Sequence, residues 1–265
     1  MIIRSTVSEL KEACLRRGIA LDPNARHKKA DLLAELLRNA VLEGRAPGGW
    51  GANARIGVAT PQLCFNYSEL TPDERETVLD SPRWIAEPKY YGVRTLVSYH
   101  PDEGFRIWSR HHDDQTFWPL DYGEKLLILR EGRMTRGRDW RGAFPEPFLV
   151  DGEIYRPGDR HGQSPHGRYQ GVEINYASAV LRMPVQESVT LQAERGTLRV
   201  VLFDCLHRGT DSVWNRPLEE RKQVLRELVA QGLPFEEAPY TERHKRAFFH
   251  RMTARGWEGV VFKNL

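Results

Sequence analysis

The segment 84–94, with the sequence WIAEPKYYGVR, constrains the fold of this chain more than any other stretch. Its apolar start at 84–86 predicts a short buried strand, and the run 93–99 is rich in residues typical of strands. Lys89 stands between them in a turn flanked by proline and glycine. A lysine held at the end of a buried strand can act as a nucleophile, and Gly92 would let a ligand approach the backbone closely.

Composition indicates a soluble globular protein. The chain has 265 residues, of which 40% are hydrophobic and 28% charged, so it can bury a substantial core. It contains no apolar run of membrane-spanning length and no signal-peptide pattern, and we expect no membrane partner. Cys14, Cys64 and Cys205 are too far apart for a disulfide framework or a zinc site, which favours a reducing, cytoplasmic location. The net charge of +3 permits a nucleic-acid partner without requiring one.

Residues 1–43 predict a small helical hairpin. Thr6 and Glu9 have capping-box spacing at the start of a first helix, and leucines at helical spacing in 32–41 predict a second. Between the helices lies a basic cluster, Arg26, Lys28 and Lys29. The arrangement resembles the SAP module, a small helical DNA-binding unit, which implies that this cluster binds DNA. The alternative is a helical hairpin with a solvated basic turn.

The remainder divides into a linker and a second domain. Residues 44–57 are rich in glycine, proline and alanine, which predicts a flexible linker, and the second domain would span 58–265. Strands are predicted at 84–87, 93–100, 104–109, 147–155, 197–206 and 259–263. Helices are predicted at 72–79, at 121–130, over much of 172–194, at 217–231 and at 241–255. Strands that occur singly and in hairpins between helices indicate the α+β class.

Four short motifs follow Lys89 in a fixed order. They are Ser109 with Arg110, VDGEI at 150–154, LFDCL at 202–206 and EGVVFK at 258–263. Together with KYYGVR at 89–94, they resemble the motif series of the covalent nucleotidyltransferases, which comprise DNA ligases, RNA ligases and mRNA-capping enzymes. The stretches 172–194 and 214–221 are most similar to the ATP-dependent DNA ligases. The resemblance implies a nucleotidyltransferase domain of antiparallel-rich sheets flanked by helices.

The resemblance also implies a role for each motif residue. Lys89 would form a covalent adenylate with AMP from ATP, and Glu258 would bind Mg²⁺. Arg110 would contact the nick in double-stranded DNA, with nicked RNA as an alternative substrate. The remaining nucleotide-binding residues would be Glu87 near the adenine edge, Glu153 at the ribose, Phe203 as the adenine platform, Arg94 at the nucleotide or the 5′-phosphate, and Lys263 near the phosphates.

These roles agree with elementary chemistry, although each residue type has a simpler explanation. An amine that attacks phosphorus must be neutral, whereas free lysine has a pKa near ~10.4. Phosphates require cationic side chains, and Mg²⁺ requires carboxylates. Taken alone, Lys89 would be a surface lysine and Phe203 a core residue. The pairs Asp151 with Gly152 and Glu258 with Gly259 would be turns, and the histidines of 110–114 would be solvated rather than metal ligands.

Two departures from the family pattern affect the functional expectation. Tyr91 stands where the family has aspartate, and a phenol carries no charge at neutral pH. The sequence ends at Leu265, whereas the family continues into a strand with paired lysines and an oligonucleotide-binding barrel, so we expect complete ligation to need a further part or a partner chain. The alternatives are a catalytically impaired nucleic-acid-binding relative, an RNA ligase or a capping enzyme. Glu258 disfavours a capping enzyme, and Arg94 disfavours NAD⁺ as donor.

Overall fold

The computed structural model describes most of the chain beyond residue 65 and part of the N-terminal region. The described residues are 6–16, 21, 32, 66–112, 119–134, 140–159, 168–169, 172–173, 175–209 and 211–265. The predicted linker at 44–57, the basic cluster Arg26, Lys28 and Lys29, and all of the second predicted helix except Leu32 lie outside them.

The described chain contains both helices and strands, and several strands follow one another without a helix between them. The helices are α1 Val7–Arg16, α2 Pro72–Asp80, α3 Leu127–Met134, α4 Tyr176–Arg182, α5 Val185–Arg195, α6 Leu218–Ala230 and α7 Lys245–Ala254. The strands are β1 Trp84–Lys89, β2 Val93–His100, β3 Gly104–His112, β4 Pro119–Asp121, β5 Phe148–Tyr155, β6 Arg168–Tyr169, β7 Val172–Glu173, β8 Arg199–Arg208, β9 Asp211–Ser212, β10 Glu236–Glu237 and β11 Gly259–Asn264.

A seven-stranded sheet forms the centre of the domain. Its order is β10-β8-β5-β2-β3-β4, with β9 on β8, and every pair is antiparallel except β10 with β8. Strands β1 and β11 form a separate antiparallel pair. This mixture of helices and antiparallel sheets agrees with the predicted α+β class.

One face of the large sheet packs against helices and forms the main core. Val97 and Tyr99 of β2 and Val200 of β8 point to this face, where α4 and α6 cover them. Tyr99 stacks on Phe148 with ring centroids 5.1 Å apart. Its hydroxyl accepts from the Phe144 amide and donates to the Phe144 carbonyl, which satisfies the buried phenol.

The opposite face of β8 carries a second, aromatic cluster. Because side chains alternate along a strand, Val201 and Phe203 point away from the main core. They pack with Tyr90, which follows β1, and with Trp257, which precedes β11. The ring centroids of Tyr90 and Trp257 are 4.9 Å apart. This cluster therefore links the large sheet to the β1–β11 pair.

The structure confirms most predicted elements and corrects two. The predicted helix at 121–130 is wrong in its first half, where β4 and a 3-10 turn precede α3. The predicted helix within 172–194 is two helices that break at Pro184, preceded by β7. Proline explains the break, because it lacks an amide donor and disfavours helical geometry at Met183. Gly152 lies within β5, not in a turn.

Helix α1 confirms the first predicted N-terminal helix. Leu10, Ala13 and Cys14 of α1 are buried with Leu32, which is also helical. The capping box at Thr6 stays a prediction. Cys205 is buried, as the sequence predicts, and burial raises the pKa of its thiol to about 12. Within the described ranges, every helix is too short or too polar to cross a bilayer.

Gly152 offers a test of the sheet packing. A Cβ atom at this position would lie 2.4 Å from the Val201 carbonyl oxygen of β8. We expect Gly152→Ala to lower the free energy of unfolding by about 2 kcal/mol or more, because backbone in the sheet centre must move. Urea denaturation measures the change. Gly158→Ala is the control, since its Cβ would meet no atom within 4 Å and only its backbone angle is strained; equal losses in the two variants would contradict the packing argument.

Candidate active site

Lys89 lies at the end of β1, where the antiparallel register brings it to the start of β11. It pairs with Gly259, so that its ammonium donates to the carboxylate of Glu258, the residue before β11. The Lys89 side chain is half exposed and that of Glu258 is 22% exposed. The predicted nucleophile and the predicted metal ligand are therefore in direct contact at an accessible position.

Glu87 lies two residues earlier on the same face of β1 and is almost completely buried. Its Oε2 is 2.6 Å from the ammonium of Lys263, which belongs to β11. Its Oε1 is 2.5 Å from the ammonium of Lys222, which belongs to α6. The second contact has an ion-pair distance, but among the described residues Oε1 has no partner with hydrogen-bond geometry. One buried carboxylate thus pairs with two lysines.

Arg94 of β2 is bound by a buried carboxylate on the neighbouring strand. Its Nε and Nη2 donate to the two oxygens of Asp151 at 2.7 and 2.5 Å. Burial raises the pKa of Asp151, and the guanidinium opposes that rise. The Arg94 guanidinium carbon lies 4.7 Å from the centroid of the Phe203 ring.

Glu153 lies opposite Arg94 in the pairing of β2 with β5. Burial raises the pKa of its carboxyl to about 7. Arg94 and a hydrogen bond from the Gly92 amide oppose the rise, whereas Glu258 adds to it by charge repulsion. A carboxyl that changes charge near neutral pH, inside a cleft, is a feature of functional sites.

Gly92 is required by the packing of β5. A Cβ atom there would lie 2.2 Å from the Ile154 carbonyl oxygen and 2.9 Å from Cγ of Glu153. The expectation from sequence was that Gly92 admits a ligand. In the structure it is the β5 backbone that makes the close approach. The glycine therefore helps to bring Glu153 next to the turn after Lys89.

Phe203 is the extra residue of a β-bulge. Asp204 pairs with Asp151, whereas Leu202 pairs with Gly152, so Phe203 has no partner residue on β5. Bulges bend a strand and redirect its side chains, and they are common beside active sites. The ring is buried, with the Lys263 ammonium 4.9 Å from its centroid in addition to Arg94.

Side-chain contacts, strand pairing and charge interactions join the predicted nucleotide-site residues into one group. Lys89 contacts Glu258, which repels Glu153; Glu153 lies beside Arg94, and Arg94 covers Phe203. Lys263 joins Phe203 to Glu87. Arg110 is exposed on β3 next to Ser109, which pairs with Thr95, so it lies near the Arg94 end of β2.

Comparison with known proteins identifies the family. A family model described as "ATP dependent DNA ligase domain" matches residues 66–265, which is most of the chain. The chain belongs to this family. A probable DNA ligase of Sorangium cellulosum is 28% identical over 259 residues, covering 96% of this chain and 41% of the relative. DNA ligase C2 of Mycolicibacterium smegmatis is 26% identical over 189 residues, covering 69% of this chain and 46% of the relative.

The ligase domain is thus much shorter than its relatives. A probable DNA ligase of Streptomyces coelicolor is 29% identical over 260 residues, covering 92% of this chain but only 43% of the relative. The chain spans less than half the length of these three proteins. A solved structure of mycobacterial DNA ligase D complexed with ATP and MES aligns with 70% of this chain and 50% of its own, at 18% identity and a TM-score of 0.42. An overlap this loose adds nothing to the family assignment.

Sequence analysis of the ligase domain missed Lys222 and did not foresee that Asp151 binds Arg94. Lys222 is buried on α6 between Leu218 and Leu225, which are also buried. A charged residue on the apolar face of an amphipathic helix was a usable signal. No signal in the sequence indicated that Asp151 binds Arg94, because pairing across β2 and β5 depends on strand register.

The carboxylates of the cleft fit a magnesium ion bound together with a nucleotide. The described part of the chain contains no cluster of three or more metal-ligating side chains. Magnesium in nucleotide sites, however, commonly uses one or two carboxylates together with substrate phosphates and water. Glu258 is accessible and Glu153 is close enough to repel it, so these two residues could supply that donor set.

The raised pKa of Glu153 predicts a pH-dependent cost to stability. The folded state binds this proton up to about pH 7, whereas the unfolded chain releases it near 4.5, so the free energy of unfolding falls as pH rises between these values. We expect Glu153→Gln to be more stable than the wild type by about 2 kcal/mol at pH 8. Urea denaturation at pH 5.5, 7 and 8 should show the difference shrinking toward acid pH. A difference that is constant with pH would contradict the linkage.

Proposed function

We propose that this ligase domain carries out the first step of DNA ligation. The Lys89 amine attacks the α-phosphorus of ATP, a phosphoramidate N–P bond forms, and pyrophosphate leaves. The observation that carries the proposal is the contact group that joins Lys89, Glu258, Glu153 and Phe203, which come from distant parts of the sequence. In this interpretation AMP then passes to the 5′-phosphate of a nick, and a 3′-hydroxyl displaces it.

Lys89 must lose a proton and its contact with Glu258 before it can attack. Glu258 is the carboxylate that holds the ammonium in the structure, so it also keeps the amine at the mouth of the cleft. When bound, Mg²⁺ would supply positive charge beside the phosphates. Glu258 would hold that ion, and Lys263 would contact the phosphates. Lys89 would then be released to face the α-phosphorus.

The nucleoside would occupy the region around Phe203. We propose that adenine stacks on the Phe203 ring, that Glu87 lies at the adenine edge, and that Glu153 contacts the ribose. Arg94 binds Asp151 through Nε and Nη2, and we propose that its guanidinium also contacts the nucleotide or a 5′-phosphate. Lys263 lies over Phe203 and must move aside for a stacked base.

Nicked double-stranded DNA is the proposed partner, with nicked RNA as the alternative. Arg110 is exposed and would contact the backbone of the nick. We propose residues 1–43 as a SAP-like DNA-binding module with Arg26, Lys28 and Lys29 as its phosphate contacts, 44–57 as a linker and 58–265 as the adenylation domain. Buried Leu10, Ala13, Cys14 and Leu32 support a helical N-terminal unit. The relatives' greater length supports further domains for complete ligation.

Tyr91 supports a second candidate function, a ligase-like protein that binds nucleic acid without forming an adenylate. The family's aspartate at this position would add a carboxylate beside Lys89, and tyrosine does not. Such a protein would bind nicked duplexes in a salt-dependent manner and would remain unmodified by ATP.

The decisive test is whether AMP becomes covalently attached to Lys89. After incubation with ATP and Mg²⁺, intact-mass measurement should show one AMP per chain, and Lys89→Ala should show none because the nucleophile is gone. Lys11→Ala on α1 is the control and should be modified as the wild type is. An adduct that persists in Lys89→Ala would refute the role of Lys89. A wild type that binds nicked DNA but forms no adduct would favour the second candidate.

The proposed metal role of Glu258 gives a separate test. We expect Glu258→Gln to raise the magnesium concentration needed for half-maximal adenylation by about tenfold or more, because a carboxylate ligand becomes a neutral amide. Adenylation rates across a magnesium titration measure this shift. Glu76→Gln is the matched control, since Glu76 of α2 is also a carboxylate in an ion pair, which it forms with Arg246. An unchanged magnesium dependence in Glu258→Gln would contradict the metal role.

A further inference from the structure

Lys222 is a buried cation that contacts two residues of the proposed adenine pocket. Its side chain is 1% exposed. The ammonium lies 2.5 Å from Oε1 of Glu87 and donates to the Phe203 carbonyl oxygen at 3.2 Å. It also lies 4.9 Å from the centroid of the Tyr240 ring. The ammonium is therefore held by groups from β1, from β8 and from the segment after β10.

The contacts of Lys222 with Glu87 and Phe203 connect two separate sheets. Glu87 belongs to the β1–β11 pair, and Phe203 belongs to β8 of the large sheet. Under the proposed function, Phe203 provides the face on which a purine stacks and Glu87 provides the acceptor at its edge. Lys222 therefore holds the edge contact in a fixed position relative to the stacking surface. Burying a lysine costs free energy unless its charge is paired, so an apolar residue would serve packing alone at least as well.

The two lysines that contact Glu87 differ in how easily a ligand could displace them. Lys222 is fully enclosed, whereas the Lys263 side chain is 22% exposed and lies over the Phe203 ring. An entering base can displace Lys263 toward solvent or phosphate, but it cannot displace Lys222. Oε1 then remains with Lys222, and Oε2 becomes the acceptor that faces the purine.

An oriented carboxylate that faces C6 of the base distinguishes the two common purines. Adenine presents an amino donor at C6, whereas guanine presents a carbonyl acceptor there. A carboxylate oxygen accepts from the amino group and repels the carbonyl. Sites that depend on one buried hydrogen bond discriminate strongly against an analogue that cannot make it.

We infer that Lys222 is a positioning residue that sets the purine preference of the nucleotide site by holding Glu87 as an oriented carboxylate. The inference rests on the proposed function, because it takes the Phe203 region as the base pocket. Among the described residues Lys222 has no contact with Lys89 or Glu258, so under the proposed function its effect should fall on base recognition. A residue that only stabilised the packing between the two sheets would change the stability without changing the preference for ATP over GTP.

The test compares ATP with GTP in Lys222→Met and in a matched control. We expect Lys222→Met to raise the KM for ATP about tenfold with a smaller change in kcat, and to lower the ATP-to-GTP ratio of kcat/KM about tenfold or more. Lys245→Met is the control, because Lys245 is equally buried but its hydrogen bonds within the described residues go to the backbone carbonyls of Ser81, Trp84 and Glu242. It should lose stability and keep the wild-type ratio.

If Lys222→Met does not fold, a double variant can be used to test the inference instead. Glu87→Gln with Lys222→Met removes one negative and one positive charge, so the net charge around Lys263 stays as in the wild type. We expect this variant to fold and to show the low ATP-to-GTP ratio of Glu87→Gln alone, with no further effect from Lys222→Met. A double variant with the wild-type ratio would overturn the inference.

Equilibrium binding of ATP and GTP distinguishes failure of the inference from failure of the proposed chemistry. Binding does not require transfer to Lys89, so the selectivity of each variant is measurable even in a protein that forms no adduct. Selective ATP binding by the wild type that Lys222→Met abolishes and Lys245→Met preserves would support the inference. Unselective binding by the wild type, unchanged selectivity in Lys222→Met, or an equal loss in Lys245→Met would overturn it.

Discussion

The pairing register of β1 with β11 is the constraint on which the candidate site depends. It places Lys89 opposite Gly259 and Glu87 opposite Val261. Glu258 therefore meets Lys89, and Lys263, two residues beyond Val261, shares the face of Glu87. A shift of one residue would turn each of these side chains to the other face of the pair. Two strands from opposite ends of the domain thus bring together Lys89, Glu258, Glu87 and Lys263.

Register alone does not complete the cleft, because β1 and β11 do not belong to the large sheet. The aromatic cluster around Tyr90 and Phe203 packs the two sheets together, and Lys222 connects them by charge. Apolar packing has no strong directional preference, whereas an ion pair with a carbonyl contact fixes distance and orientation. The combination accounts for a cleft whose charged groups hold defined positions.

Charge burial has opposing effects on stability and on the proposed chemistry. Asp151 and Glu153 both have raised pKa values because burial disfavours their ionised forms. Each is compensated by Arg94, and Glu87 is compensated by lysines. The compensating cations are therefore already in place, so a charged ligand would require little electrostatic reorganisation there. The remaining cost is consistent with proteins sacrificing stability at functional sites.

The sequence by itself determined the family, the α+β class and the position of Lys89 at a strand end, because ordered motifs and hydrophobic periodicity are local properties. It also located most strands and the helices after residue 210. It did not reveal the partner of Arg94, the reason for Gly92 or the position of Lys222. These depend on which strands become neighbours and on which helix covers them. Only the tertiary structure decided those contacts, because electrostatic pairing and steric exclusion act between residues that are distant in sequence and close in space.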